Sequence, residues 1–196
     1  MIGLIKKCWN WFWTPTSRIA LGVIVLFGFG GGIIFWGGLH TAIEATNTIE
    51  FCVSCHEMDQ LVYPEYKETI HYANASGVRA ICTDCHVPKE WGPMMVRKFQ
   101  ATGEIWAKII GRVDTPEKFE EHRWQLANRV WDTMMANDSQ ECRNCHEYEA
   151  MNFELQSRRS RIKMQEGHEQ GKTCIECHKG IAHKLPRDPN EPERED

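Results

Sequence analysis

The sequence predicts a mainly α-helical chain with little or no β-sheet: one N-terminal transmembrane helix, then a polar domain with little apolar core of its own. Three observations predict it. Residues Ile19–Leu39 run for 21 positions without a charge. Eight of the nine cysteines fall in four copies of one pattern, C-x-x-C-H. The stretches around those copies carry helical spacing of apolar residues, with no convincing strand alternation.

The apolar run comes first in the chain. As a helix rising 1.5 Å per residue it spans roughly 31 Å, about one bilayer core. Six glycines (Gly28, Gly30, Gly31, Gly32, Gly37 and Gly38) would weaken a soluble helix but are tolerated in lipid. The run is longer than a signal-peptide core, and no A-x-A cleavage site follows it. Lys6, Lys7 and Arg18 precede it, and Glu44 and Glu50 are the first charges after it. The positive-inside rule then places residues 1–18 in the cytoplasm, 19–39 in the membrane and the remainder across it. Trp9, Trp11, Phe12 and Trp13 suit one interface and Trp36 the other, and Cys8 is left as an ordinary thiol.

The rest of the chain is acidic. All 27 acidic residues lie beyond residue 40, whereas the 23 basic ones include the three before the span, and the formal charge is −4. A balance of this sign excludes a nucleic-acid footprint, and 42% hydrophobic residues exclude global disorder. Residues 187–196 (RDPNEPERED) read as a disordered acidic tail.

The four motifs are Cys52–His56, Cys82–His86, Cys142–His146 and Cys174–His178. C-x-x-C-H is the attachment signature of c-type haem. Two thiols add to the two vinyl groups of one porphyrin, and the adjacent histidine lies under the ring to ligate iron. Paired zinc sites or disulfides would leave four histidines without a reason. Four haem c groups in residues 40–186 make a haem-dominated multihaem cytochrome c domain. Spacings of 30, 60 and 32 residues divide it into di-haem halves, about 40–112 and 113–186. One helix is expected from Pro93 to Ile110, stopping at Gly111. Another starts at Asp114-Thr115-Pro116-Glu117, with Asp114 as N-cap, and runs to about Ala136 with Phe119, Leu126, Val130 and Met134 on its apolar face. Candidate further iron ligands are His40, His71, His122, His168, His183, Met58 and the lysines, with His122 and His168 read as solvated.

These residues resemble the NapC/NirT/NrfH family of membrane-anchored multihaem quinol dehydrogenases. The resemblance covers nearly the whole chain and is carried by NTIEFCVSCHEM (47–58), HYANASGVRAICTDCHVP (71–88), DTPEKFEEHR (114–123), NDSQECRNCH (137–146) and KTCIECHKGIAHKLP (172–186). It is nearest to the NapC branch, whose client is a periplasmic nitrate reductase. The resemblance implies haem attachment through Cys52, Cys55, Cys82, Cys85, Cys142, Cys145, Cys174 and Cys177. It implies Met58 in place of His56 on the first iron, and His86 with Lys98 on the second, with Lys89 as the alternative lysine. His146 with His183 would hold the third iron and His178 with His71 the fourth. Glu104 would be the catalytic carboxylate of a quinol site shared with Lys98, although an ideal helix sets the two about 120° apart.

Ubiquinol or menaquinol would be the substrate, and a periplasmic reductase the partner. The location would be the inner membrane, with the haem domain periplasmic. A homo-oligomer is compatible with all of this. The rival readings are another terminal reductase as client, or small-oxyanion reduction at an open haem. A haem sensor would need an output domain, which the residues before Arg18 do not supply.

Overall fold

The computed structural model describes residues 2–13 and 21–190. Arg18, the first two residues of the expected span and positions 191–196 of the acidic tail lie outside the described residues. The described residues are mainly helical and contain no strand, as the pattern required. The chain divides into two units, residues 1–45 and 46–196.

The first unit holds helix α1 (Ile2–Trp13) and helix α2 (Leu21–Ala45). An N-terminal helix was not anticipated from the charge pattern, which fixed only an orientation. Helix α2 is 25 residues long and therefore about 37 Å, six residues longer at its C-terminal end than the uncharged run. The added turns carry His40 and Glu44, whose side chains pair at 3.3 Å across one helical turn. Within residues 22–45 the most apolar 18-residue stretch has a mean hydropathy of 1.9, and the helix is long and apolar enough to cross a membrane.

The second unit is a string of short helices on two longer ones. Helix α3 (Ile49–Cys52), capped by the Thr48 hydroxyl accepting from Phe51 N–H, leads into the first motif. A π-helical turn over Met58–Val62 runs on into α4 (Tyr63–Lys67). Helix α5 (Cys82–His86) is the second motif itself, its entry fixed by the Asp84 carboxylate accepting from Ile81 N–H. Helix α6 spans Trp91–Ile109. At its end Gly111, at φ +72°, lets Arg112 N–H reach Ala107 O and its own N–H reach Lys108 O, the Schellman closure the glycine foretold.

Helix α7 (Pro116–Ala136) begins one residue later than expected, because Thr115 is the N-cap and accepts from Lys118 N–H. Asp114 is instead drawn to Lys118 Nζ at 2.7 Å. Two residues in the left-handed region, Asp138 and Ser139, then reverse the chain into α8 (Gln140–Arg143), the start of the third motif. Helix α9 (Arg158–Glu169) and helix α10 (Cys174–Cys177), the fourth motif, complete the unit.

Buried apolar side chains are few for a domain of this length. In this unit, among the described residues, they are Tyr66, Phe119, Trp131, Met134 and Ile175. Trp131, Met134 and Ile175 join Cys85, Trp124, Val130 and Met135 in one cluster that glues α7 to α10 and the second motif. Ser139 stands at its edge, wholly buried, and its hydroxyl accepts from Ile175 N–H at 3.1 Å. Ser139→Ala would leave that donor unpaired, and buried unpaired groups cost about 1–3 kcal/mol. The variant is expected to melt several degrees lower than the parent with haem content unchanged, as read by thermal circular dichroism.

Candidate functional site: four motifs in series

Each C-x-x-C-H motif begins in a short helical turn: α5 and α10 contain both cysteines of theirs, and α3 and α8 the first cysteine of theirs. The motifs meet in sequence order. Cys52 and Cys82 lie within hydrogen-bonding reach of each other, and the pairing lowers the Cys82 thiol to about 7 while raising Cys52. The Thr83 hydroxyl also donates to Asn47 O, so the first and second motifs abut. Helix α5 packs on α8, joining the second motif to the third. The Ser139–Ile175 bond joins the third to the fourth.

Two histidine pairs stand out. His71 and His146 have ring centres 6.1 Å apart, and His86 and His183 have them 6.2 Å apart. A metal–imidazole bond of about 2 Å, with the ring centre roughly 1 Å behind the nitrogen, sets two rings on opposite faces of one metal about 6 Å apart. Burial pushes the His86 imidazole down to about 4, with His183 and Arg97 adding to the effect. Burial likewise lowers His71, helped by His146. It lowers His183 too, although the Glu65 carboxylate opposes the shift. In all three, burial favours the neutral imidazole, the form in which histidine binds a metal. The Nδ1 atoms of His71 and His183 are buried without a hydrogen-bond partner in the chain. Together with the sparse core, these pairs fit haem held by thioether bonds and by two histidines.

His71 and His183 are both positioned by long-range contacts. The Tyr66 hydroxyl lies between the carbonyl oxygens of His71 and Ala80, pinning the two ends of the loop that carries His71. Glu65 binds Arg123 at 2.9 Å and accepts from Lys184 N–H at 3.0 Å, fixing the turn that carries His183 to α4 and α7. These pairings differ from the resemblance, which put His71 with His178 and His183 with His146.

The residues implied for the quinol site also separate. The Lys98 ammonium donates to Thr46 Oγ1 at 2.7 Å and Asn47 Oδ1 at 2.6 Å. Burial holds it below its usual value, while Cys52 works the other way. Glu104 is 64% exposed and pairs with Arg97 at 2.9 Å, so the two are not brought together. Lys89 is exposed and turned to Asp84. His122 bonds Lys118 O through Nδ1 within its own helix, and His168 stacks on Tyr148 at 3.8 Å.

Sequence reasoning missed Glu57, inside the first motif's CHEM run. It is 5% exposed, with Oε1 3.1 Å from His56 Nε2 and Oε2 3.0 Å from Lys108. Burial opposes its charge, yet its backbone N–H, Lys108 and His56 hold its carboxyl below the usual value. The motif residue itself was visible; its partner, 51 positions away, was not.

The family model described as the NapC/NirT cytochrome c family, N-terminal region, matches residues 14–188. The chain belongs to that family. It is 54% identical over 184 residues to the cytochrome c-type protein NapC of Escherichia coli K12, covering 94% of this chain and 92% of the relative. The denitrification system component NirT of Stutzerimonas stutzeri is 58% identical over 172 residues, 88% of this chain and 86% of its own. A putative tetraheme cytochrome c of Allochromatium vinosum is 50% identical over 175 residues, covering 89% of this chain and 92% of its own. No solved structure matches. As a NapC/NirT cytochrome, this is a mainly α multihaem c-type protein of electron transport, and α2 is its membrane anchor.

Proposed function

We propose that the chain is a quinol dehydrogenase, oxidising ubiquinol or menaquinol at the first motif and passing the electrons to a periplasmic reductase. Nitrate reductase is the client favoured by the likeness to NapC, and another periplasmic terminal reductase is the alternative. The anchor crosses the inner membrane once, N-terminus in the cytoplasm, with residues 40–186 in the periplasm. The observation that carries this reading is the linear order of the motifs: a quinol releases two electrons, and a series of one-electron sites whose first member begins shortly after the span in the chain can take them away. Bound at the four motifs, haem c supplies those one-electron sites.

The residues have distinct tasks. Cys52, Cys55, Cys82, Cys85, Cys142, Cys145, Cys174 and Cys177 hold the porphyrins. His86 with His183, and His146 with His71, would hold the iron at the second and third motifs. His178 serves the fourth. At the first motif His56 Nε2 faces the Glu57 carboxylate, which favours Met58 as the ligand. Lys98, released from the second motif by His183, is placed beside Cys52 to donate to a quinol oxygen.

Protons need acceptors as well. Glu57 lies at the motif itself, and Glu104 lies one turn from Lys108 on the same polar side of α6. Glu57 is the inner acceptor and Glu104 the outer one, open to water. A positioned general base contributes about 10²–10⁴-fold. Anaerobic stopped-flow mixing of the oxidised protein with a short-chain quinol is therefore expected to show fast haem reduction. Glu57→Gln should slow it by roughly a hundredfold on that scale, and Glu104→Gln should slow it less, with recovery in concentrated buffer. No reduction by either ubiquinol or menaquinol would overturn the dehydrogenase reading and leave an anchored relay fed by another membrane complex.

A further inference from the structure

Helix α6 inverts the pattern of a soluble surface helix. At 100° per residue, Trp91, Met95, Phe99, Thr102, Trp106 and Ile109 share an arc of about 80°. Trp91, Phe99, Trp106 and Ile109 are 53%, 79%, 62% and 68% exposed. Arg97, Glu104 and Lys108 occupy the opposite side. That polar side is the one turned to the rest of its unit, where Arg97 Nε donates to His86 O and Lys108 pairs with Glu57. An amphipathic helix normally buries its apolar stripe, and a contiguous exposed one marks a surface that something else covers.

The place where α6 is fastened says what covers it. Lys98, in mid-helix, is bonded to Thr46 and Asn47. These residues follow Ala45, the last residue of the membrane-spanning helix, directly in the chain. The midpoint of α6 is thus tied to the point where the chain leaves the span. Two tryptophans on its exposed side add the side chain most suited to the headgroup level of a bilayer.

We propose that α6 is an interfacial helix lying in the plane of the membrane surface. Its Trp91–Phe99–Trp106–Ile109 side is sunk among lipid headgroups and the first acyl carbons, and its charged side holds the haem domain down. The inference rests on α2 spanning the bilayer but stands independently of the quinol reading. If both hold, a quinol reaches Lys98 and the first motif from the acyl region without crossing water.

The test is photo-crosslinking of the full haem-loaded chain in phospholipid nanodiscs. p-Benzoylphenylalanine is placed singly at Phe99, Trp106, Gln100 and, as a control within the span, Leu26. Phe99 and Leu26 are 79% and 71% exposed, so the probe is tolerated at both. Intact mass is expected to rise by one phospholipid at Leu26, Phe99 and Trp106 and to stay unchanged at Gln100. Lipid adducts at Leu26 but not at Phe99 or Trp106 would overturn the proposal. Equal labelling at Gln100 would do so as well. A dimer-mass product from Phe99 would show that a second copy covers this side instead. Absence of lipid adduct at Leu26 would remove the membrane span, and the proposal with it.

Discussion

Exchanging His183 for methionine is expected to raise the midpoint potential of one haem by on the order of 100 mV, a fraction of the roughly 0.8 V over which axial ligands tune haem iron. Bis-histidine ligation favours the ferric state, whereas a thioether favours the ferrous one. The haem affected should be the one on Cys82 and Cys85, because the imidazole 6.2 Å from His183 is His86. A spectroelectrochemical titration reads the shift, and a second substitution assigns it. In a Cys82→Ser/Cys85→Ser background the effect of His183→Met should vanish. In a Cys142→Ser/Cys145→Ser background it should persist. The reverse outcome would restore the pairing implied by the family resemblance and discard the one drawn from geometry. Because His183 sits on a turn held by Glu65 and Arg123, the backbone has a support independent of the ligand, and the substitution should keep the turn in place.

That pair also shows where sequence reading stops. The motifs, the span and the two long helices are local patterns, legible from residue type and spacing. Even Gly111 as a helix stop was legible, since a left-handed closure needs little but glycine. The turn that carries His183 is held by Glu65, 119 positions from Lys184, and by Arg123, on a third element. No periodicity encodes contacts of that range. A helix from Pro93 to Ile110 was legible, but its apolar stripe was not read from the sequence, and which side faces its own domain is a tertiary fact. Its consequence is opposite to the usual default. The N-cap moved from Asp114 to Thr115 for a smaller reason. Both residues can cap, and the Lys118 ammonium drew the carboxylate away.

Loss of the second haem is expected to isolate the third and fourth from quinol. The first motif touches the second through Cys52 and Cys82 and through Asn47 and Thr83, while the second reaches the third through α5 and α8. Electron tunnelling weakens exponentially with distance, so removing a middle station slows everything beyond it by orders of magnitude. A Cys82→Ser/Cys85→Ser variant should therefore retain three haems, of which quinol rapidly reduces one. Dithionite, which needs no entry point, should reduce all three. The matching Cys174→Ser/Cys177→Ser variant also retains three, but quinol should reduce all of them at close to the parental rate, because the fourth motif is the far end of the series. The two variants bear the same number of haems, so a difference between them reports order in space rather than haem content. Equal, fast and complete reduction in both would mean the motifs form a cluster with several short routes. Delivery to the client would then not be confined to the Cys174–His178 end.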